Sequence, residues 1–377
     1  MSDPRHSDDA SAEPRKRGKI ARRSVLGGLL VFGGGWFVGW KWPFWGSDPQ
    51  PVEPSEPSAT PTEDPTDPPS EPVRFAVVAD TGMDSTNNNT AASTTFSAIG
   101  ASGVAFGLHL GDLAYSTEPG VEQEFADFVH EHAGQEFEWA MIPGNHEGLD
   151  PDYGGPEGNM ALFAEYCAPT PDGIVGNYPY DYYFDRDFVR FIMISPNIEN
   201  PDGLLTYENG TPEQEQLGAW IAEAKAADRF VIVGEHEPYL TIGEHRHTPD
   251  NLSSPELAAF EIAQGVDVVM AGHDHNISRS HQLTGTVEDQ KSPVVVNDTG
   301  DFTRGEGTVF LVIGTGGHDV RSIGTVHDLW AMGSGTNSPE GVTLAYGEFE
   351  VTEDVIRYQL RPTSGPAVTD AFTITKR

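Results

Sequence analysis

The chain has 377 residues, enough for one large α/β domain with tails or for two small domains. Hydrophobic residues make up 37% of it, which can build a core, but the net charge is −36 and residues 73–377 carry 47 acidic against 14 basic side chains; such a surface repels polyanions, so nucleic acid is excluded as a partner. Cys167 is the only cysteine, so no internal disulfide can form and the fold must stand on core packing or bound metal.

Residues 1–23 hold seven basic and four acidic side chains and end in Arg22-Arg23. An apolar, glycine-rich run from Val25 to Trp40 comes next, then Lys41 and the aromatic patch Trp42, Phe44 and Trp45. Twin arginines before a modestly hydrophobic stretch resemble a twin-arginine export signal, a route that carries folded proteins. As a helix the apolar run reaches about 24 Å, and extended to Trp45 about 31 Å, close to the ~30 Å of a hydrocarbon core. Residues 24–45 therefore read as a signal or a retained membrane anchor, with the basic end inside the cell. Residues 46–72 are rich in Pro, Ser, Thr, Glu and Asp, the composition of a disordered acidic spacer. These features imply an exported, extracytoplasmic protein, membrane-anchored or secreted, its oligomeric state left open.

From Val73 the pattern alternates strands with helices. Strands are expected at Val73–Ala79, Val104–Leu110 and Phe137–Ile142, with helices over Ala91–Ala101 and Val121–His132 between them. Tyr182–Phe184 and Phe188–Ile194 read as a hairpin around Asp185–Asp187. Thr211-Pro212-Glu213 opens a helix to about Ala227, with Thr211 as N-cap and Pro212 in the first turn. Phe230–Val233 and Val266–Met270 read as strands around a Pro255–Gln264 helix. Beyond residue 276 the signal is mostly β, at Val294–Val296, Thr308–Ile313, Thr343–Val351, Val355–Leu360 and Phe372–Thr375. An α/β domain with a β-rich C-terminal part spans 73–377.

Five polar clusters come directly after five of these strands: Asp80-Thr81-Gly82, Gly111-Asp112-Leu113-Ala114-Tyr115, Gly144-Asn145-His146-Glu147, Gly234-Glu235-His236 and Gly272-His273-Asp274-His275. Strand ends are where open α/β sheets bind ligands. Any one cluster alone is a turn, or a buried histidine satisfied by its neighbours. Together, Asp80, Asp112, Tyr115, Asn145, His236, His273 and His275 form a nitrogen/oxygen set too large for one tetrahedral zinc and too poor in sulfur for a structural one. The set suits two metal ions ~3.5–4 Å apart that share a carboxylate.

The order of these motifs resembles the calcineurin-like metallophosphoesterases and, within them, the purple acid phosphatases, most securely over 73–280. Many members of that superfamily begin with Asp-x-His, whereas Gly82 stands at the third position here and Tyr115 stands where purple acid phosphatases place a tyrosine on ferric iron. The resemblance implies a four-layer αββα sandwich of two mixed sheets flanked by helices. It implies Fe(III) on Asp80, Asp112, Tyr115 and His275, and a divalent iron, zinc or manganese on Asp112, Asn145, His236 and His273, with Asp112 bridging. It also implies a substrate-facing histidine at His245, nine residues after His236, although Arg246 departs from the two-histidine version of some relatives.

The expected chemistry is hydrolysis of a small phosphorylated substrate, a phosphomonoester, by a hydroxide held between the metals. His146 is expected to bond a phosphate oxygen or protonate the leaving alkoxide. His247 reads either as a further contributor to the site or as a loop histidine, His318 and His327 as loop residues, Asp274 as a supporting residue, and Gly314-Thr315-Gly316-Gly317 as a turn without a role. A phosphodiesterase or nucleotide hydrolase on the same site, and a surface protein that binds metal or phosphate without catalysis, are the alternatives.

Overall fold

The computed structural model describes residues 71–83, 90–148, 158–201, 203–247, 252–339 and 341–377. The basic segment, the signal or anchor and nearly all of the expected spacer lie outside these residues. Among the described residues no helix is long and apolar enough to cross a membrane.

Strands and helices are numbered in chain order. One sheet has seven strands in the order β14 (Asp301–Thr303), β19 (Ala371–Thr375), β18 (Val355–Ser364), β17 (Leu344–Val351), β1 (Val73–Val78), β2 (Phe106–Leu110) and β3 (Glu138–Ile142). The other has eight: β16 (Trp330–Ser334), β11 (Ile277–Ser280), β15 (Val309–Ile313), β10 (Val268–Ala271), β9 (Phe230–Gly234), β6 (Val189–Met193), β5 (Asp181–Arg186) and β4 (Val175–Asn177). Two small ribbons pair β7 (Glu199–Asn200) with β8 (Gly203–Leu204) and β12 (Gln282–Thr284) with β13 (Val294–Asn297). Both large sheets are mixed. β1, β2 and β3 run parallel, as do β6, β9, β10 and β15, while β17 and β5 pair antiparallel to their neighbours.

The sheets pack face to face through Phe75, Phe106 and Phe349 from one and Phe184, Phe191 and Ile232 from the other. The Phe75 and Phe191 rings meet edge-on at 4.8 Å. Strands in this core are apolar on both faces because helices cover their outer sides. α1 (Thr90–Ala101) and α2 (Val121–Ala133) lay Phe96, Ile99, Phe125 and Val129 on Val78, Trp139 and Met141. α4 (Pro212–Ala226) and α5 (Pro255–Gln264) lay Leu217, Ile221, Leu257 and Ile262 on Val231, Val233 and Val269. The result is the four-layer αββα sandwich.

Both of the latter helices start as their sequences dictate. The Thr211 hydroxyl accepts from Gln214 N at 3.3 Å and Ser254 from Leu257 N at 3.0 Å, each with proline next, and each cap contributes about 1 kcal/mol. A short helix, α3 (Met160–Tyr166), was not expected; its seven residues are too few for a period to register. β11 was also missed, since it starts two residues past His275 with Ser and Arg among its four residues. The tail is β-rich as expected, with β18 running to Ser364 rather than Leu360.

This topology positions the site. The parallel strands of both sheets end toward the same edge of the sandwich, so the loop after each carries its polar cluster there.

Candidate metal centre

All seven expected ligands converge. Asp80, Asp112 and Asn145 come after β1, β2 and β3 of the seven-stranded sheet, while His236, His273 and His275 come after β9 and β10 of the eight-stranded one. Asp112 Oδ1 lies 3.2 Å from His236 Nε2, and Asp80 Oδ1 lies 3.5 Å from His275 Nε2. Tyr115 Oη donates to Asp112 Oδ2 at 2.8 Å and sits 3.3 Å from His275 Nε2. Asn145 Oδ1 is 3.1 Å from His236 Nε2 and 2.8 Å from His273 Nδ1. Asp112 belongs to two groups of donors, Asp112–His236–His273 and Asp80–Asp112–His275, and a third group, His275–His318–Asp319, shares His275.

Local backbone chemistry makes this convergence possible. Asp80, Asp112 and His273 have φ of 54°, 54° and 66°, in the left-handed region that non-glycine residues enter at a cost on the order of 1 kcal/mol. Glycine would adopt it freely but has no donor to offer. Gly82 is required for the opposite reason, because a Cβ there would collide with Tyr115 and His318. A histidine at that position would leave no room for the tyrosine.

The residues fit a pair of cations. His236 Nδ1 donates to Leu110 O at 2.7 Å and His275 Nδ1 to Asp319 O at 2.8 Å, which leaves each Nε2 lone pair facing the carboxylates. Asp80 and Asp112 are buried, and their ion-pair partners among the described residues are histidines, an arrangement that calls for positive charge. Without metal, burial and then Asp112 and Asp80 raise the Tyr115 phenol well above its usual range. Burial opposes the charge on Asp112, yet His236 holds it well below the ordinary carboxylate range, and the same pairing lifts His236 to about 10 against its own burial. Bound cations would take the place of that proton.

Glu147, which ended one of the sequence clusters without a role, turns away from the donors. Its Oε2 accepts from Asp112 N at 3.0 Å and Gly144 N at 2.9 Å, its Oε1 from Leu113 N at 2.9 Å. It ties together the loops that carry Asp112 and Asn145. Burial, and then Asp112, push its carboxyl up to about 8 while the Gly144 N–H, His236 and the Ala114 N–H pull it back.

His146 stands at the mouth, its ring 4.0 Å from that of Tyr115 and its Nε2 4.0 Å from Asp112 Oδ2. His245 lies in a 3-10 turn, Glu244–His247, and its ring packs 4.1 Å from that of His273. Asp274 supports that turn, accepting from His245 N at 3.1 Å and from the Thr241 hydroxyl, and His247 is exposed at its end. His318 belongs to the site rather than to a remote loop, 4.2 Å from the Tyr115 ring. The loop that carries it closes on the metal-ligand loop, with Gly316 N donating to Ala79 O at 3.0 Å and His318 N to Asp80 O at 3.0 Å. Sequence reasoning missed His318, Asp319 and Arg321, because a glycine run after a strand has no periodicity to mark the residues beyond it.

Comparison with known proteins agrees with this geometry. Two uncharacterized proteins of Mycobacterium tuberculosis, from strains CDC 1551 / Oshkosh and ATCC 25618 / H37Rv, are each 31% identical over 190 residues, 48% of this chain. The matched stretch spans 35% of those relatives' own length. Among solved structures, the purple acid phosphatase PPD1 of yellow lupin (Lupinus luteus) seeds superposes over 81% of this chain and 54% of its own, with TM-score 0.64 and 18% identity. GAP50, the anchor in the inner membrane complex of Plasmodium, does so over 82% and 90%, with TM-score 0.55 and 17% identity. At such identities the likeness establishes the fold. A family model for the calcineurin-like phosphoesterases matches residues 73–276, from the first residue of β1 to the one after His275, and so takes in all seven converging donors. The chain belongs to the calcineurin-like phosphoesterases.

Proposed function

We propose that the protein hydrolyses phosphomonoesters at a dinuclear centre, with Asp80, Asp112, Tyr115 and His275 around one ion and Asp112, Asn145, His236 and His273 around the other. The sharing of Asp112 by two donor groups carries this reading. Tyr115, standing against Asp112 and His275, supports Fe(III) in the first position and a divalent iron, zinc or manganese in the second. Bound there, the cations supply Lewis acidity to the phosphoryl oxygens and acidify water.

The chain's own residues do the rest. The carbonyls that hold the outward N–H groups of His236 and His275 orient the two rings, so that each inward nitrogen would face a bound cation in place of a proton. Glu147 keeps the Asp112 and Asn145 loops in register. His146, partly open to solvent beside Tyr115, is placed to bond a phosphate oxygen or to give a proton to the departing alkoxide. The reading includes export, supported by Arg22-Arg23 and the apolar run after it, with retention by that run as an anchor.

The test is metal analysis, a visible spectrum and a 4-nitrophenyl phosphate assay on the purified full chain. Two ions per chain, a broad visible tyrosinate band and turnover are expected, and Tyr115→Phe removes the band while the metals of the Asp112–His236–His273 group stay. A metal-loaded protein that cleaves neither mono- nor diesters would sink the hydrolase reading; an active, colourless, manganese-only one would sink the iron assignment alone.

A further inference from the structure

Residues 73–377 bring only fourteen basic side chains to a strongly acidic surface, and most are paired with carboxylates away from the centre. Arg190 holds Asp185, Arg279 holds Asp370, Arg361 holds Glu348 and Lys376 holds Asp228. Arg246, next to His245, turns its guanidinium back onto Ile242 O and Gly243 O. Arg321 differs. Its backbone N–H donates to His275 O at 2.8 Å, which places it against a metal-site loop. Its Nη1 lies 3.0 Å from His245 Nε2, and its side chain keeps 31% of its surface exposed.

That contact has a fixed direction. A guanidinium has no acceptor, so Nη1 donates and His245 Nε2 accepts. His245 then carries its proton on Nδ1, and Nε2 has none to give a leaving group. Arg321 thus extends the wall begun by His273 and His245. Asp319 is the nearby acid, with Oδ2 3.7 Å from Arg321 Nε, but its other oxygen is already engaged by His275 Nδ1 at 3.0 Å. Held against His245 and the His275 loop yet partly exposed, the fork is open to a group attached to the phosphoryl.

We infer that Arg321 is a specificity residue that binds a second anionic group on the leaving side of the substrate, so that the preferred substrates are phosphomonoesters carrying a further phosphate or carboxylate. The inference rests on the proposed hydrolase reading and names the substrate class of that site. A guanidinium grips such oxyanions in pairs, and in a domain that otherwise repels anions one correctly placed fork discriminates strongly.

The experiment compares phenyl phosphate, 4-carboxyphenyl phosphate and 1,4-phenylene bisphosphate in the full-length metalloenzyme, and reads the ratio of kcat/KM for each doubly anionic ester to that for phenyl phosphate. Arg321→Met should lower this ratio by about tenfold or more, mostly through KM, and Arg321→Lys, which keeps the charge but not the fork, by about threefold. The carboxylate and bisphosphate arms show which anion is held. An unchanged ratio in both variants, with all three esters losing activity together, would mean that Arg321 only props His245 and would overturn the inference. If the wild type cleaves none of the three, the hydrolase reading itself fails.

Discussion

Tyr115 reaches the centre because residue 82 has no side chain. The superfamily's more common histidine at that position and this chain's tyrosine compete for one volume, with His318 closing over the tyrosine from the far side. Under the proposed function, exchanging an imidazole for a phenol would change which ion the first position prefers, since a hard phenolate favours a trivalent metal. At the mouth, His146 touches the same phenol without joining either donor group. His146→Ala should therefore leave metal content intact and lower kcat about 10²-fold, the usual scale for a lost proton donor. Metal analysis beside steady-state kinetics checks this, and loss of metal in the variant would recast His146 as a ligand.

At the scale of elements, the site is a set of strand ends, and that is why so much of it was legible. The strands before Asp80, Asp112, Asn145, His236 and His273 are short apolar runs, and a polar residue beside glycine directly after such a run has few places to go but the end of a sheet. The parts that could not be read were those defined by direction. Glu147 lies two residues from Asn145, yet only the fold shows its carboxylate pointing back at the backbone of the neighbouring loop. His318 and Arg321 lie some forty residues beyond His275 and return only because β15 runs parallel to β10 and brings the loop after it to the same edge. Glu147→Gln tests the clamp. Whichever oxygen becomes the amide nitrogen will face two N–H donors, Asp112 N and Gly144 N on one side or Leu113 N and Ala114 N on the other. Cation affinity measured by chelator competition should fall about 10- to 100-fold, the range seen when the support of a ligand is removed. Wild-type affinity in this variant would show the clamp to be dispensable.

For the whole molecule, stability should depend on pH in part through a buried acid outside the donor set. Glu261 on α5 is fully buried, neither carboxylate oxygen has a hydrogen-bond partner among the described residues, and burial pushes its carboxyl up to about 8. Its folded value lies above its unfolded one of 4.5, so the folded chain holds a proton that the unfolded chain releases, and stability falls as pH climbs from about 4.5 to about 8. Glu261→Gln removes this contribution, while buried Glu235, which Glu261 faces, keeps its own. The variant should match the wild type near pH 4.5 and exceed it increasingly toward pH 8, by on the order of 1 kcal/mol per pH unit, as read by denaturant unfolding. A difference that does not grow with pH would place the ionisation elsewhere. The sandwich has a mechanical consequence as well. The two groups that share Asp112 take members from both sheets, Asp112 with His236 and His273, and Asp80 and Asp112 with His275. The ions would act as rivets through two plates. Chelation should loosen the plates at that rim first, speeding amide exchange at the ends of β2, β9 and β10 while the phenylalanine-packed interior stays closed.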